Sequence, residues 1–356
     1  MRNNLPNITA LRFFMALLVV LYHVPQFMSN RGFPSYNALP IFNRGTEAVY
    51  FFFALSGFLI IRNLYVEKKS TGTIALKTFY KRRILRIFPL YYAVLIFGLL
   101  YYNWILPALG YPMENHGHNL TEIIVLGGTF FSNIMAKQNP GGILEILWSI
   151  GIEEQFYLLI APLFLLLPLR RMVLFLVMFT MIYFVLFHTE LLEIISYYRM
   201  YFYYFSASGL MAILAVSRPD LKFGVLVRTT VIAAVVIYFF TDFFASHLSE
   251  IGYQLLSTIL FPLFIFVMIQ RSTVILESRI LKYFGKISYG IYMLHSIVMQ
   301  AVGFLFLKIF AWDSEYNAAI LIILFNLLTV AITLLASHWS YKYFESYFIK
   351  FKQKIP

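Results

Sequence analysis

Long apolar runs recur along this chain of 356 residues, from residue 8 to residue 340, and they decide what it can fold into. A soluble protein needs a polar exterior, and a chain that is 61% hydrophobic and only 12% charged cannot supply one. In lipid the backbone must satisfy its own hydrogen bonds, so such runs are expected as helices of about 20 residues. Periodic apolar runs lie at about 8–28, 46–64, 84–106, 143–168, 172–188, 198–216, 223–244, 252–270, 287–310 and 318–341. The reading is an all-α polytopic membrane protein with about ten transmembrane helices. The segment 121–136, TEIIVLGGTFFSNIMA, is short and interrupted by Gly127 and Gly128, and is expected as a re-entrant or interfacial helix. One integral membrane domain is expected over 1–345, followed by a basic cytoplasmic tail over 346–356.

Charge sets the orientation. With the N-terminus in the cytoplasm, all of the 28 Lys and Arg residues except Arg31, Arg44, Lys137, Arg199 and Lys308 fall on or beside inner loops, or toward the inner ends of spans. Both termini are therefore expected in the cytoplasm, with the protein in a cell inner or plasma membrane. The net charge of +12 reads as a topology signal with some attraction to anionic membrane lipid. No nucleic-acid partner is expected. The chain has no cysteine, which excludes disulfides, thiolate metal sites and cysteinyl thioesters. The first apolar run exceeds a signal-peptide core and lacks a small-residue cleavage pattern, so no cleavable signal is expected.

Ionisable residues inside spans are costly and mark pathways or reaction sites. Arg12 and His23 lie eleven residues apart in the first run, on one stripe of a helix and roughly 16 Å apart along its axis. Glu153 and Glu154 lie inside the fourth run, and Ser149, Glu153 and Tyr157 share a face there. One acid at a helix centre costs roughly 2.5–3.5 kcal/mol, so two adjacent ones need partners, a water-filled cavity or a chemical role. A structural pairing with Arg12 or Arg62 is one reading. Arg82, Arg83 and Arg86 stand at the inner mouth of the third run. They fit either a positive-inside anchor or a clamp for phosphate oxygens. His295, in the ninth run, fits an interhelical hydrogen bond more readily than catalysis. Ser56-Gly57 reads as a small-residue packing site. His116, His118, His188, His247 and His338 show no ligand-like spacing, so no metal is expected.

These segments, in this order, resemble the membrane acyltransferase 3 family. The resemblance is carried by LRFFMALLVVLYH, FFFALSGFLI, RRILRIFPLYY, WSIGIEEQFYLL, ISYGIYMLH and HWSYKYFE, and it covers nearly the whole chain. It implies transfer of an acyl group from acyl-CoA on the cytoplasmic side to a hydroxyl of a surface or extracellular glycan or its lipid-linked precursor. Acetyl-CoA is the family's commonest donor. Acyl-CoA would be a co-substrate, with no permanently bound cofactor. The family's paired arginine and histidine fall on Arg12 and His23, and its RxxR motif falls on Arg83 and Arg86. The first motif reads LRFF where LRGL is usual, which bears on packing beside Arg12. No appended hydrolase-like domain is expected after the last span, so a second transfer step is expected to be absent or to belong to another protein.

The reaction then implied needs a base, oxyanion donors and a hold on the donor's phosphates. His23 is expected as the base, with Glu153 or Glu154 orienting its ring. Arg83 and Arg86 would hold CoA phosphates, with Arg82 and Arg12 secondary. Trp148 would stack on a sugar, with Ser149, Tyr157 and His295 in support. Direct transfer through a tunnel and an acyl-His23 intermediate both remain open. A proton-coupled transporter or flippase of a glycan intermediate is the competing class. Against it stand the lack of an internal repeat and of a matched pair of broken helices.

Overall fold

Each of the ten apolar runs folds as a helix in the computed structural model, which describes residues 5–111, 119–309 and 317–353. In chain order the elements are α1 (Ile8–Ser29), α2 (Gly45–Thr71), α3 (Leu76–Leu100), the short α4 (Leu120–Gly128), α5 (Trp148–Leu166), α6 (Leu169–Phe187), α7 (Phe202–Ser217), α8 (Val225–Phe240), α9 (Glu250–Gln270), the short α10 (Arg279–Lys286), α11 (Ser288–Ile309) and α12 (Ala318–Trp339). Every regular element among the described residues is helical. Several starts are capped as the sequence allows: Asn119, Ser249, Ser278 and Asn317 each accept a backbone N–H of their own first turn. His116 and His118 lie outside the described residues.

Eight helices among the described residues are long and apolar enough to cross a membrane. The other two of the ten, α7 and α8, have 16 residues each, roughly 24 Å against a hydrocarbon core of about 30 Å. The run expected over 198–216 starts later than its composition suggests. The preceding helical segment, Glu190–Tyr197, lies at 86° to α7, and the corner between them holds Arg199 at a φ of 55°. The segment expected as a tail from 346 is helical as far as Gln353. A π-helical turn, Ser340–Glu345, leads into a helix at Ser346–Gln353 that packs on α3.

Polar contacts at the helix ends fit ten long helices that alternate in direction. At one end, the α2 residue Tyr65 meets Ser217 of α7, and Tyr283 of α10 meets His338 of α12. Asn7, buried just before α1, donates to the carbonyls of Met268 and Arg271 and accepts from Thr273. Its backbone N–H meets Glu277, and Lys282 together with this N–H holds that carboxyl below its ordinary range. At the opposite end, His188 after α6 meets Gln254 of α9, and Arg31 after α1 meets Gln300 of α11. The first end carries Lys68, Arg170, Arg218, Lys222 and Lys282, and is called the basic end below.

The segment between α3 and α5 dips into the bundle and returns. α4 ends at Gly127 and Gly128, whose carbonyls accept the hydroxyls of Tyr91 and Tyr92 from the middle of α3. The chain turns at Phe130, which has a φ of 62° and stacks on Tyr91. Gln155 of α5 donates to the freed Phe130 carbonyl, as a broken helix at this depth requires. The chain then climbs back until Gly141 meets Tyr102 at the far end of α3. The expected short re-entrant element has this form.

α1, α2, α5 and α11 lie inside the bundle, while α6 and α12 are largely exposed on its periphery. Two features fix the interior helices. Gly57 of α2 lies against α7 so closely that a Cβ there would come 2.3 Å from the Phe205 carbonyl oxygen. The expected packing role of Ser56-Gly57 is thus met. Lys68, read from the sequence only as a cation at the inner side, is buried. Its ammonium donates to the carbonyls of Phe164 (2.7 Å), Leu165 (2.8 Å) and Leu167 (2.5 Å), closing the C-terminal end of α5.

Lys68→Met should therefore leave those carbonyls unpaired and cost roughly 2–4 kcal/mol, read as a lowered melting temperature in detergent, with Lys68→Arg losing less. An unchanged melting temperature for Lys68→Met would remove the capping role. Gly57→Ala should separate α2 from α7 and cost about 1–3 kcal/mol in the same measurement. A wild-type melting temperature there would mean the contact can relax.

Candidate active site

Two cavities lie between α1, α2, α5 and α11. The larger, about 510 Å³, is at the end opposite the basic one, and His23, Gln26, Trp148, Tyr292 and Ser296 are among its lining residues. The smaller, about 50 Å³, lies deeper and is lined by Arg12, Ser56, Ser149, Glu153, Ser288 and Tyr289, among others. Val49 and Tyr292 line both, so the volumes adjoin through these two side chains. The helical stripe that carries Arg12 and His23 thus places one residue at each cavity.

His23 is half-buried. Its ring stacks on His295 at 5.3 Å with 27° between planes, meets Tyr22 edge-on at 5.0 Å, and faces the Gln26 side chain. His295 is fully buried, and its Nδ1 lies 2.5 Å from the Tyr292 carbonyl oxygen. A carbonyl can only accept, so the network assigns the proton to Nδ1 and leaves Nε2 as an acceptor. That Nε2 has no hydrogen-bond partner among the described residues. Tyr292 gives its own proton to the Ile146 carbonyl at 3.0 Å, which makes Ser149 the donor in their 2.6 Å contact. Trp148 is set edge-on to Phe53 at 5.9 Å, and the Arg199 guanidinium lies 5.5 Å from its ring.

The carboxylates sit lower. Glu153 accepts from Ser56 at 2.8 Å and from Tyr157 at 3.0 Å, and it interacts electrostatically with Arg12 and Arg83. Glu154 turns away, as its 100° offset requires. It is buried near Arg83, and its Oε1 has no hydrogen-bond partner among the described residues. Arg83 lies over the rings of Tyr157 (5.2 Å) and Phe79 (5.7 Å). Arg86 lies within electrostatic reach of Arg12, Arg83, Glu153 and the buried Glu345. Among the described residues no carboxylate comes within 4.0 Å of Arg12, Arg83 or Arg86. Three guanidinium groups thus share one region with more positive charge than the nearby acids hold directly. Arg82 stands beside them, half-buried.

The structure therefore brings together Arg12, Arg83, Arg86, Glu153, Glu154 and Tyr157 in one group, and His23, His295 and Trp148 in another, with Ser149 and Tyr292 between them. It does not place Glu153 or Glu154 among the contacts of the His23 ring; His295 and Gln26 are there instead. Several residues were not singled out from the sequence: Tyr292, Gln26, Gln300 and the carboxylate of Glu345. Gln300 accepts from Arg31 at 2.7 Å and from Tyr101 at 3.2 Å. Two of them had a local signal, since Tyr292 lies in the ISYGIYMLH segment and Glu345 ends the HWSYKYFE segment. No group of three or more His, Asp or Glu side chains among the described residues could hold a metal.

Residues 5–338 match a family profile described as an acyltransferase domain. The chain is similar to the peptidoglycan O-acetyltransferase OatA of Listeria monocytogenes, at 29% identity over 174 residues, covering 48% of this chain and 25% of the relative. It is similar to the O-acetyltransferase OatA of Staphylococcus aureus at 32% over 162 residues, covering 44% of this chain and 24% of the relative. A putative acetyltransferase of Acidianus two-tailed virus is 26% identical over 314 residues, covering 85% of this chain and 86% of that protein. The chain spans about a quarter of the length of the OatA relatives. No solved structure matches it. With the profile running through every helix that builds the two cavities, this multi-pass membrane protein belongs to the acyltransferase 3 family.

Proposed function

We propose that this protein is an O-acyltransferase that moves an acyl group, acetyl by the family's usage, from acyl-CoA to a hydroxyl of a surface glycan or its lipid-linked precursor. The observation that carries this reading is the pairing of two adjoining cavities: a smaller one toward the basic side, lined by Arg12 of the triple-arginine group, and a larger one on the other side, lined by the half-buried His23. The OatA relatives act on peptidoglycan or transfer O-acetyl groups by name, which supports a glycan acceptor. The basic end is assigned to the cytoplasm, where acyl-CoA is available, in a cell inner or plasma membrane.

Arg83 and Arg86, assisted by Arg12 and Arg82, bind the CoA phosphates, because guanidinium groups stay charged and match phosphate oxygens in pairs. Glu153 and Glu154 are assigned to positioning and partly neutralising these arginines when no donor is bound. His23 is assigned as the base. Its imidazole takes the acceptor hydroxyl proton as the oxygen attacks the thioester carbonyl, and a new C–O bond forms. The tetrahedral intermediate then expels the CoA sulfur, the C–S bond breaks, and the imidazolium returns the proton to the thiolate. His295, stacked on His23, holds the ring, and Trp148 offers a face to the sugar. Val49 and Tyr292 stand where the pantetheine arm must pass, so donor binding has to displace them.

His23→Ala should lower acyl transfer in membranes by roughly 10²–10⁴-fold while the protein still folds and inserts. Glycan acylation at the wild-type rate would remove His23 from the reaction. Arg83→Ala and Arg86→Ala should raise the KM for acyl-CoA more than they lower kcat, measured by release of free CoA thiol. A fall in kcat alone would place these arginines outside donor binding.

A further inference from the structure

The cavity that holds His23 carries a second chemical signal, in its charge. Positive side chains are scarce at this end: on the sequence topology only Arg31, Arg44, Lys137, Arg199 and Lys308 lie outside the inner side. Arg44 is already neutralised, by Asp242 at 2.6 Å and Glu47 at 3.6 Å. Lys308 is exposed and does not line the cavity. The remaining three, Arg31, Lys137 and Arg199, all line this one cavity, against one carboxylate, Glu145. None of the three has a carboxylate within 4.0 Å among the described residues.

These cations are held in place. The Arg31 guanidinium lies 3.9 Å from the Phe27 ring centre and donates to Gln300 Oε1 at 2.7 Å. The Lys137 ammonium lies 4.3 Å from the Tyr197 ring centre. Arg199 occupies a left-handed backbone conformation at φ 55°, which a long unbranched side chain adopts at a cost, and this turns it toward Trp148. Amides of Gln26, Asn30 and Asn139 fill in between, the donors and acceptors a polyhydroxylated ring requires. A neutral glycan needs the amides and the tryptophan but brings no negative charge to three cations that face one carboxylate, Glu145, and have none within 4.0 Å. In a cavity with low-dielectric walls their field attracts an anion strongly.

We propose that the acceptor is an acidic glycan, one whose sugar bears a carboxylate or a phosphate near the hydroxyl to be acylated, and that Arg31, Lys137 and Arg199 select it. This rests on the assignment of the His23 cavity to the acceptor. The test uses purified full-length protein and four probes: a tetrasaccharide of alternating glucuronate and N-acetylglucosamine, its carboxyl-reduced counterpart, chitotetraose 1-phosphate, and chitotetraose. Equilibrium binding and acetyl transfer from acetyl-CoA are both measured.

At least one acidic probe should bind roughly tenfold or more tightly than its neutral counterpart, the size of one charge-assisted hydrogen bond. Whichever acidic arm responds identifies carboxylate or phosphate as the recognised group. Arg31→Gln, Lys137→Gln and Arg199→Gln should each raise the Kd and KM of that probe by roughly tenfold, leaving the neutral probe and the Kd of acetyl-CoA unchanged. Lys308→Gln should change none of these values. Equal affinity for acidic and neutral probes, including no binding of either, overturns the proposal. So does an equal loss for both in the glutamine variants. Acidic preference without any acyl transfer would instead count against the proposed reaction and leave the selectivity standing, whereas transfer without preference would remove the selectivity alone.

Discussion

Arg12, Arg83 and Arg86 repel one another inside a bundle whose surroundings are hydrocarbon, and the rest of the architecture answers that constraint. A cation in such a place needs a carboxylate, a dipole or an open cavity. Glu153 and Glu154 from α5 and Glu345 from the π-helical turn after α12 supply part of the charge. The aromatic faces of Tyr157 and Phe79 supply another part. Among the described residues the balance is not met by any carboxylate within 4.0 Å of the three guanidinium groups. The helices that bear these groups, α1, α3 and α5, bring their side chains together at the cluster, and α6, which bears no acidic or basic side chain after Arg170 and Arg171 in its first turn, is left on the periphery.

Holding such a cluster requires the helices to stay in register along the membrane normal. Lys68 ties the end of α2 to the end of α5, and Asn7 ties the start of α1 to the end of α9. Gly57 lets α2 and α7 come into backbone contact. A slide of one turn, about 5.4 Å, along any of these interfaces would carry Ser56 away from Glu153 and Arg12 away from the smaller cavity. The re-entrant turn at Phe130 works on the same scale. It depends on Gln155, one helical turn below the plane of Gly151, and on the tyrosine hydroxyls of α3 to satisfy its broken backbone.

Much of this was legible in advance where the signal is local. Apolar length marked the helices, Gly127-Gly128 marked the interruption, and a 100° step per residue separated Glu153 from Glu154. The stripe holding Arg12 and His23 follows from the same geometry. The neighbours of each group were not legible. Lys68 reads as a surface cation until α5 is seen to end beside it, and Glu153 reads as a partner for His23 until the depth of α5 places it with the arginines. The corner at Arg199 has no proline or glycine to announce it.

Read alone, the amino-acid order says that the chain crosses a membrane, how its helices are expected to alternate, and which residues are too polar to be there without cause. These follow from hydropathy, periodicity and charge bias, which are properties of single segments. Which of those residues share a cavity, that His23 faces His295 rather than a glutamate, and that Arg31, Lys137 and Arg199 converge on one volume opposite the basic end emerge only from the folded bundle. Those facts depend on the depth and rotation of each helix against several others, and packing between segments far apart in the chain sets both.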